Sequence, residues 1–289
     1  MKAMKLFFLV LLTLNVGAAF AFPKAPVVDL NFRPGLIFKS LDVDSYDFEG
    51  IVKLSNCSGA MVQFEGQPDS SKAIVMTNGH CVPAGAFGGF LKPGQVFVNK
   101  TVSRDFKIFK DKETLFPIKG NKILYATMTN TDVAFYELTE SYTQIFNRTG
   151  VKPLVLSSQR PTEGTQIDIV SGYWERGYSC GVDGFVAKLK EADWLFTDSV
   201  RYTDGCDSIG GTSGSPIIER GTNKVIAINN TSNESGARCT MNNPCEVLEN
   251  GDVFVRKGNR YGQQTYQIYG CLTEKFKIDL TQDGCLLPK

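Results

Sequence analysis

The chain has 289 residues with 31 basic and 30 acidic side chains, a formal net charge of +1. That balance gives no charge-based case for nucleic-acid or anionic-membrane binding. With one histidine and no Cys-x-x-C spacing among eight cysteines, the ligands of a zinc site are also missing; no metal or cofactor is expected.

Lys2 and Lys5 precede an apolar run from Leu6 to Leu14, followed by Ala19-Phe20-Ala21. A charged start, an apolar stretch and a small-residue cleavage site make a secretory signal peptide. The run is shorter than the roughly 20 apolar residues of a membrane span. Residues 1–21 are therefore expected to be removed, leaving a secreted or periplasmic chain with no membrane attachment. Residues 22–50 contain Pro23, Pro26 and Pro34 and little periodicity, and read as an N-terminal arm or propeptide.

Short runs rich in β-branched and aromatic residues follow, separated by turn clusters. They predict strands at Ile51–Leu54, Ser58–Phe64, Ala73–Thr77, Gln95–Val98, Ile123–Thr127 and Val133–Leu138. Thr139 to Pro161 carries turn residues and weak periodicity and reads as a connection. Strands resume at Thr165–Tyr173, Asp183–Leu189, Trp194–Phe196, Pro216–Ile218, Val225–Asn229 and Asp252–Arg256. The fold class is all-β.

Three stretches carry chemistry. In Thr77-Asn78-Gly79-His80-Cys81 an apolar run ends in a turn holding the only histidine. A lone histidine there can simply cap a strand, but an adjacent cysteine in a secreted chain can pin its backbone. Thr131-Asp132-Val133-Ala134 sets a carboxylate at the mouth of an apolar strand, where it can hold an imidazole's tautomer. In Asp207 to Pro216, Gly210, Gly211 and Gly214 crowd Ser213. Such a decapeptide can be a plain hairpin turn. It can equally present a serine hydroxyl to solvent while backbone N–H groups converge on one point.

Together, Thr77-Asn78-Gly79-His80-Cys81, Thr131-Asp132-Val133-Ala134 and Gly211-Thr212-Ser213-Gly214-Ser215-Pro216 resemble the catalytic blocks of chymotrypsin-fold serine proteases. Their order and separations match that family. The Gly-Thr-Ser-Gly-Ser-Pro form is similar to the bacterial glutamyl-endopeptidase-like branch. The resemblance implies two six-stranded antiparallel β-barrels, over residues 51–145 and 146–270, with the active site in the cleft between them and a C-terminal tail at 271–289. It implies a serine endopeptidase acting on proteins or peptides through an acyl-enzyme. Ser213 would be the nucleophile, His80 the base and Asp132 its orienting carboxylate, with the Gly211 and Ser213 amides as oxyanion donors.

The resemblance also pairs Cys57 with Cys81. Cys180 with Cys206 would brace the loop before Ser213, while proximity suggests Cys239–Cys245 and Cys271–Cys285. Asp207 resembles the family position at the floor of the primary specificity pocket, so cleavage after Arg or Lys is expected. A turn aspartate in solvent is the plainer reading of the same residue. The rival preference for Glu relies, in the glutamyl branch, on a second histidine where this chain has Asn229 and Asn230. Two departures bear on activation. Ile51-Val52 lies too close to Cys57 to be an activation terminus, and Thr212 replaces the aspartate that would receive a new N-terminus. Two further alternatives are an inactive protease-fold binding protein, against which all three residues are present, and an esterase, for which the strand-turn-helix context of the serine is missing.

Overall fold

The computed structural model describes residues 46–84 and 89–289. The expected signal peptide, and the expected arm as far as residue 45, lie outside the described residues. Among the described residues no helix is long and apolar enough to cross a membrane.

Six strands make the first barrel: β1 (Ile51–Lys53), β2 (Ser58–Phe64), β3 (Lys72–Thr77), β4 (Val96–Phe109), β5 (Leu115–Thr127) and β6 (Val133–Ser141). Their antiparallel pairings run β1-β4-β5-β6-β3-β2, and β2 returns to β1 to close the ring. Both faces of β2, β3 and β6 are covered, which explains their near-continuous apolar runs. In β3, Ala73 and Val75 enter one core with Val52, Phe106, Ile118 and Tyr136. The alternate residues, Ile74 and Met76, enter a second core shared with Val170, Ile218 and Ile228. The two-residue period of a strand sorts them.

A helix, α1 (Tyr142–Thr149), leaves β6 through a capping box in which Ser141 and Gln144 satisfy each other's backbone N–H groups. It leads to β7 (Leu154–Leu156). The second ring consists of β8 (Gln166–Ser171), β9 (Arg176–Glu191), β10 (Trp194–Tyr202), β11 (Pro216–Glu219), β12 (Lys224–Ser232) and β15 (Arg260–Gln264). It pairs in the order β12-β11-β8-β9-β10-β15 and closes by β15 on β12. Between the rings, β7 lies parallel to both β2 and β12. A short pair, β13 (Cys245–Val247) and β14 (Val253–Phe254), hangs from β9.

Three strand expectations are corrected. The hairpin of β4 and β5 runs far beyond Gln95–Val98 and Ile123–Thr127, because its middle is exposed and polar (Asn99 to Asp105) and shows no apolar alternation. The sixth strand of the second ring is not Asp252–Arg256, of which only Val253–Phe254 is strand, outside the ring. That place belongs to Arg260–Gln264. Its Gly and Gln residues give little strand signal, yet Gln263 is buried and bonded to Ser199. The segment read as a connection, 139–161, begins with the end of β6 and carries α1 and β7 between the rings.

Disulfides join Cys57–Cys81, Cys180–Cys206, Cys239–Cys245 and Cys271–Cys285. The last clasps the C-terminal segment, which lies on the shared core: Leu287 is buried there, and Tyr125 Oη donates to the Pro288 carbonyl at 3.1 Å.

Candidate active site

A single 3-10 turn, Gly79–Cys81, follows β3 and presents the His80 ring. Gly79 is required by close approach: a Cβ there would lie 2.0 Å from the Thr127 carbonyl oxygen and 3.0 Å from Asp132 Oδ1. Asp132 enters from the loop before β6 and is almost fully buried. Its Oδ2 stands 2.6 Å from His80 Nδ1, and its Oδ1 accepts the His80 backbone N–H at 3.0 Å. Asn78 Nδ2 donates to the Asp132 carbonyl at 2.8 Å. From the second ring, the Leu195 carbonyl accepts Asn130 N–H and Thr197 N–H donates to the Asn130 carbonyl, fixing the same loop.

Burial works against a charged His80, but the adjacent Asp132 charge and hydrogen bond, with a further contribution from the Glu191 charge, outweigh it. The net effect raises the pKa above the ordinary histidine value.

Ser213 stands on the loop between β10 and β11. Gly214 follows it in the left-handed region at φ 82°, where a Cβ would meet the Ser58 carbonyl oxygen at 2.2 Å; only glycine fits. The Ser213 carbonyl accepts Ser58 N–H at 2.8 Å. Since Ser58 follows Cys57 and His80 precedes Cys81, the Cys57–Cys81 bridge ties the turn of His80 to the loop of Ser213. Its two sulfurs are used in that bond, so this Cys-His-Cys cluster is not a thiolate metal set.

The loop before Ser213 is held locally. Trp174 Nε1 donates to the Gly210 carbonyl at 2.7 Å and Ser58 Oγ to the Gly211 carbonyl at 3.1 Å. Thr212 N–H donates to the Ile209 carbonyl at 3.0 Å, and Thr212 Oγ1 accepts Ile209 N–H at 3.3 Å. Among the described residues, neither the Gly211 nor the Ser213 amide donates a hydrogen bond to the protein.

His80, Asp132 and Ser213 line one cavity, together with Asn229 and Asn230. His80 and Ser213 are not hydrogen-bonded to each other, as is common before substrate tightens a site. Asn229 is engaged elsewhere: its Nδ2 donates to the Thr212 carbonyl and its Oδ1 accepts Tyr202 Oη, each at 3.2 Å.

Asp207 is a correction. It is absent from the lining of this cavity, its side chain is 77% exposed, and Arg260 Nη2 pairs with it at 3.1 Å. The loop turns its carboxylate toward solvent and an existing cation, and Ser208 takes the inward place. Other residues of the site have no counterpart in the sequence reading. These include Glu191, Phe90, Trp194 and Met241 on the cavity wall, and Ser58 and Trp174 behind the loop. Exposed aromatic and methionine side chains carry no periodic signal, and Glu191 ends a strand whose neighbours are mixed in character.

Two closed rings with His80–Asp132 and Ser213 on one cavity define the chymotrypsin-like class of fold. The sequence profile described as Trypsin-like peptidase domain matches residues 57–228, more than half of the chain, and the protein belongs to that family. No curated protein matches the sequence. Solved structures with a similar fold include the protease domain of MamO from Magnetospirillum magneticum, at 14% identity and a TM-score of 0.47 over 78% of this chain and 97% of that one. Nocardiopsis protease shows 15% identity and a TM-score of 0.44 over 76% and 93%. A glutamic-acid-specific serine protease, described as using a histidine triad in substrate binding, shows 16% and 0.39 over 74% and 91%. At these identities and TM-scores the likeness carries no further conclusion about this protein.

Proposed function

We propose that the protein is a secreted or periplasmic serine endopeptidase. The observation that carries this reading is the pair of half-buried His80 and buried Asp132 on the same cavity as Ser213, beside two backbone amides with no protein acceptor among the described residues. Ser213 Oγ attacks the scissile carbonyl carbon and its proton passes to His80 Nε2. Asp132 holds the proton on Nδ1 and stabilises the imidazolium. The Gly211 and Ser213 N–H groups receive the oxyanion. Collapse breaks the C–N bond, and His80 returns the proton to the leaving amine. Water then attacks the acyl-enzyme by the same route.

The substrates are proteins or peptides. An oxidising compartment is supported by the four disulfides. Cleavage after Arg or Lys loses the support of Asp207, which is exposed and already paired. The glutamyl-endopeptidase-like branch rests on the Gly-Thr-Ser-Gly-Ser-Pro form alone, since Asn229 and Asn230 stand where that branch uses histidine. The test is Ser213→Ala: it should abolish both peptide hydrolysis and labelling by a fluorophosphonate while the fold is retained. Turnover equal to that of the wild type would refute the reading.

A further inference from the structure

Among the described residues, the cavity around His80 and Ser213 has no lysine or arginine on its wall and three carboxyls, Asp132, Glu191 and Glu234. Asp132 is committed to His80. Glu191, the last residue of β9, is only 7% exposed, and among the described residues it forms no ion pair with a lysine or arginine; the charge of His80 acts on it across the cavity. One of its oxygens accepts the Asn242 N–H at 2.7 Å. A carboxylate buried without a cation is costly to keep ionised, and burial does push this group up, partly offset by Thr231, Asn242 and His80.

Beside it, Asn230 is 5% exposed and lines the same wall, and its Nδ2 has no acceptor among the described residues. This amide is left unpartnered on the wall that a ligand would occupy. The backbone supplies a track as well. Strand β11 ends its pairing with β12 opposite Ile228. From Asn230 to Ser232, β12 therefore has only β15 as strand neighbour, and these residues face the cavity. A peptide strand added to that edge would run from Ser213 past Glu191. Apolar lining adjoins the acid: Trp194 is the cross-strand partner of Glu191, Phe90 stands edge-on to Trp194 at 5.9 Å and to His80 at 6.0 Å, and Met241 lines the same cavity. Such a wall covers the methylene stem of a long cationic side chain while its head reaches an acid.

We propose that Glu191, with Glu234 at the rim, forms an anionic subsite for a lysine or arginine side chain of the substrate, on a residue ahead of the scissile bond. This rests on the endopeptidase reading and supplies from another part of the fold the carboxylate that Asp207 does not.

The experiment uses alanine-based peptides carrying one lysine, or its uncharged isostere norleucine, at each of the four positions ahead of the cleaved bond. The kcat/KM values of the wild type, Glu191→Gln, Glu234→Gln and Asp207→Ser are compared. In parallel, binding of the same peptides to Ser213→Ala protein, with and without Glu191→Gln, is measured by calorimetry, which needs no turnover. Lysine should be favoured by about tenfold or more at one position, the scale of a desolvated charge pair. Glu191→Gln, which keeps an acceptor for Asn242, should reduce that preference to under about twofold while norleucine peptides are still cleaved. Glu234→Gln, an exposed change that cannot disturb the core, should reduce it in part, and Asp207→Ser should not. Equal lysine and norleucine values, or a preference that survives Glu191→Gln, would overturn the proposal. If no peptide is cleaved and no phosphonate labels Ser213, the endopeptidase reading falls. The binding arm then decides the subsite alone.

Discussion

The indole N–H of Trp174 is bonded to the Gly210 carbonyl oxygen at 2.7 Å, from the turn between β8 and β9 to the loop that carries Ser213. A Cβ on Gly211 would touch Tyr173 at 2.8 Å and Trp174 Nε1 at 2.9 Å, so the two aromatic residues pack directly under that loop. Thr212 offers no charge for a liberated N-terminus. These neutral bonds, together with Ser58, hold the turn at Gly210–Thr212, while the Asp207–Arg260 ion pair sits earlier in the loop on its solvent side. Trp174→Phe keeps the ring and deletes the donor. The expected result is a fall in kcat of about tenfold with KM nearly unchanged, smaller than the loss of an oxyanion donor itself because Trp174 acts through the loop. Steady-state kinetics on one peptide substrate checks it, and a change confined to KM would contradict it.

Activity should fall on the acid side at a pH above the ordinary histidine range. Only neutral His80 can take the serine proton, and its pKa is raised because Asp132 and Glu191 outweigh the opposing effect of burial. With a single histidine in the chain, the limb should be one titration. Glu191→Gln removes one of the charges that favour the imidazolium, so the limb should move to lower pH, while Asp207→Ser should leave it in place. A pH profile of kcat/KM for the three proteins decides the matter, and an unmoved limb in Glu191→Gln would show that the two groups are not coupled.

How much of this could be read from residues alone depended on whether a signal was local. His80, Asp132 and Ser213 stand in short turns whose glycines and neighbours carry the resemblance, and the fold brings all three to one cavity. The apolar strands of both rings announced themselves by composition. Asp207 failed because its meaning depends on direction: the same backbone position can face the cavity or solvent, and here Arg260, a residue from a distant strand, draws the carboxylate outward. Glu191 was illegible for the complementary reason. It becomes part of the site only when β9 brings its end beside β12 and Asn242.

Gly79→Ala should damage stability and catalysis together. The added methyl would meet the Thr127 carbonyl at 2.0 Å and Asp132 Oδ1 at 3.0 Å, and backbone cannot yield as a flexible side chain can. Overpacking of this kind costs about 1–3 kcal/mol, and any relief that moves Asp132 disturbs His80. A lowered melting temperature with kcat reduced beyond the unfolded fraction is expected. A mutant that keeps full kcat would mean that the turn shifts away from Asp132 at little cost.

Alkaline titration should reveal how the C-terminal segment is fastened. Tyr269 donates to the Leu156 carbonyl at 2.5 Å and accepts Glu65 N–H at 2.8 Å. Burial dominates its titration and pushes its pKa up to about 12. Tyr125, Tyr142 and Tyr261 are raised further, also chiefly by burial. In the unfolded chain these phenols ionise near the ordinary tyrosine value, so the folded state binds their protons more tightly. The sign follows: their contribution to stability is complete below about pH 10 and is lost as pH rises through the folded values. Tyrosinate absorbance should therefore show a late step that coincides with loss of circular dichroism. Tyr269→Phe should weaken the fold at neutral pH by about 1–3 kcal/mol, because Glu65 N–H and the Leu156 carbonyl lose a buried partner. It should leave kcat unchanged, since Tyr269 is absent from the lining of the His80 cavity. Full ionisation of all the tyrosines near pH 10 without loss of structure would show that these phenols are accessible, and the account of the clasped segment would fail.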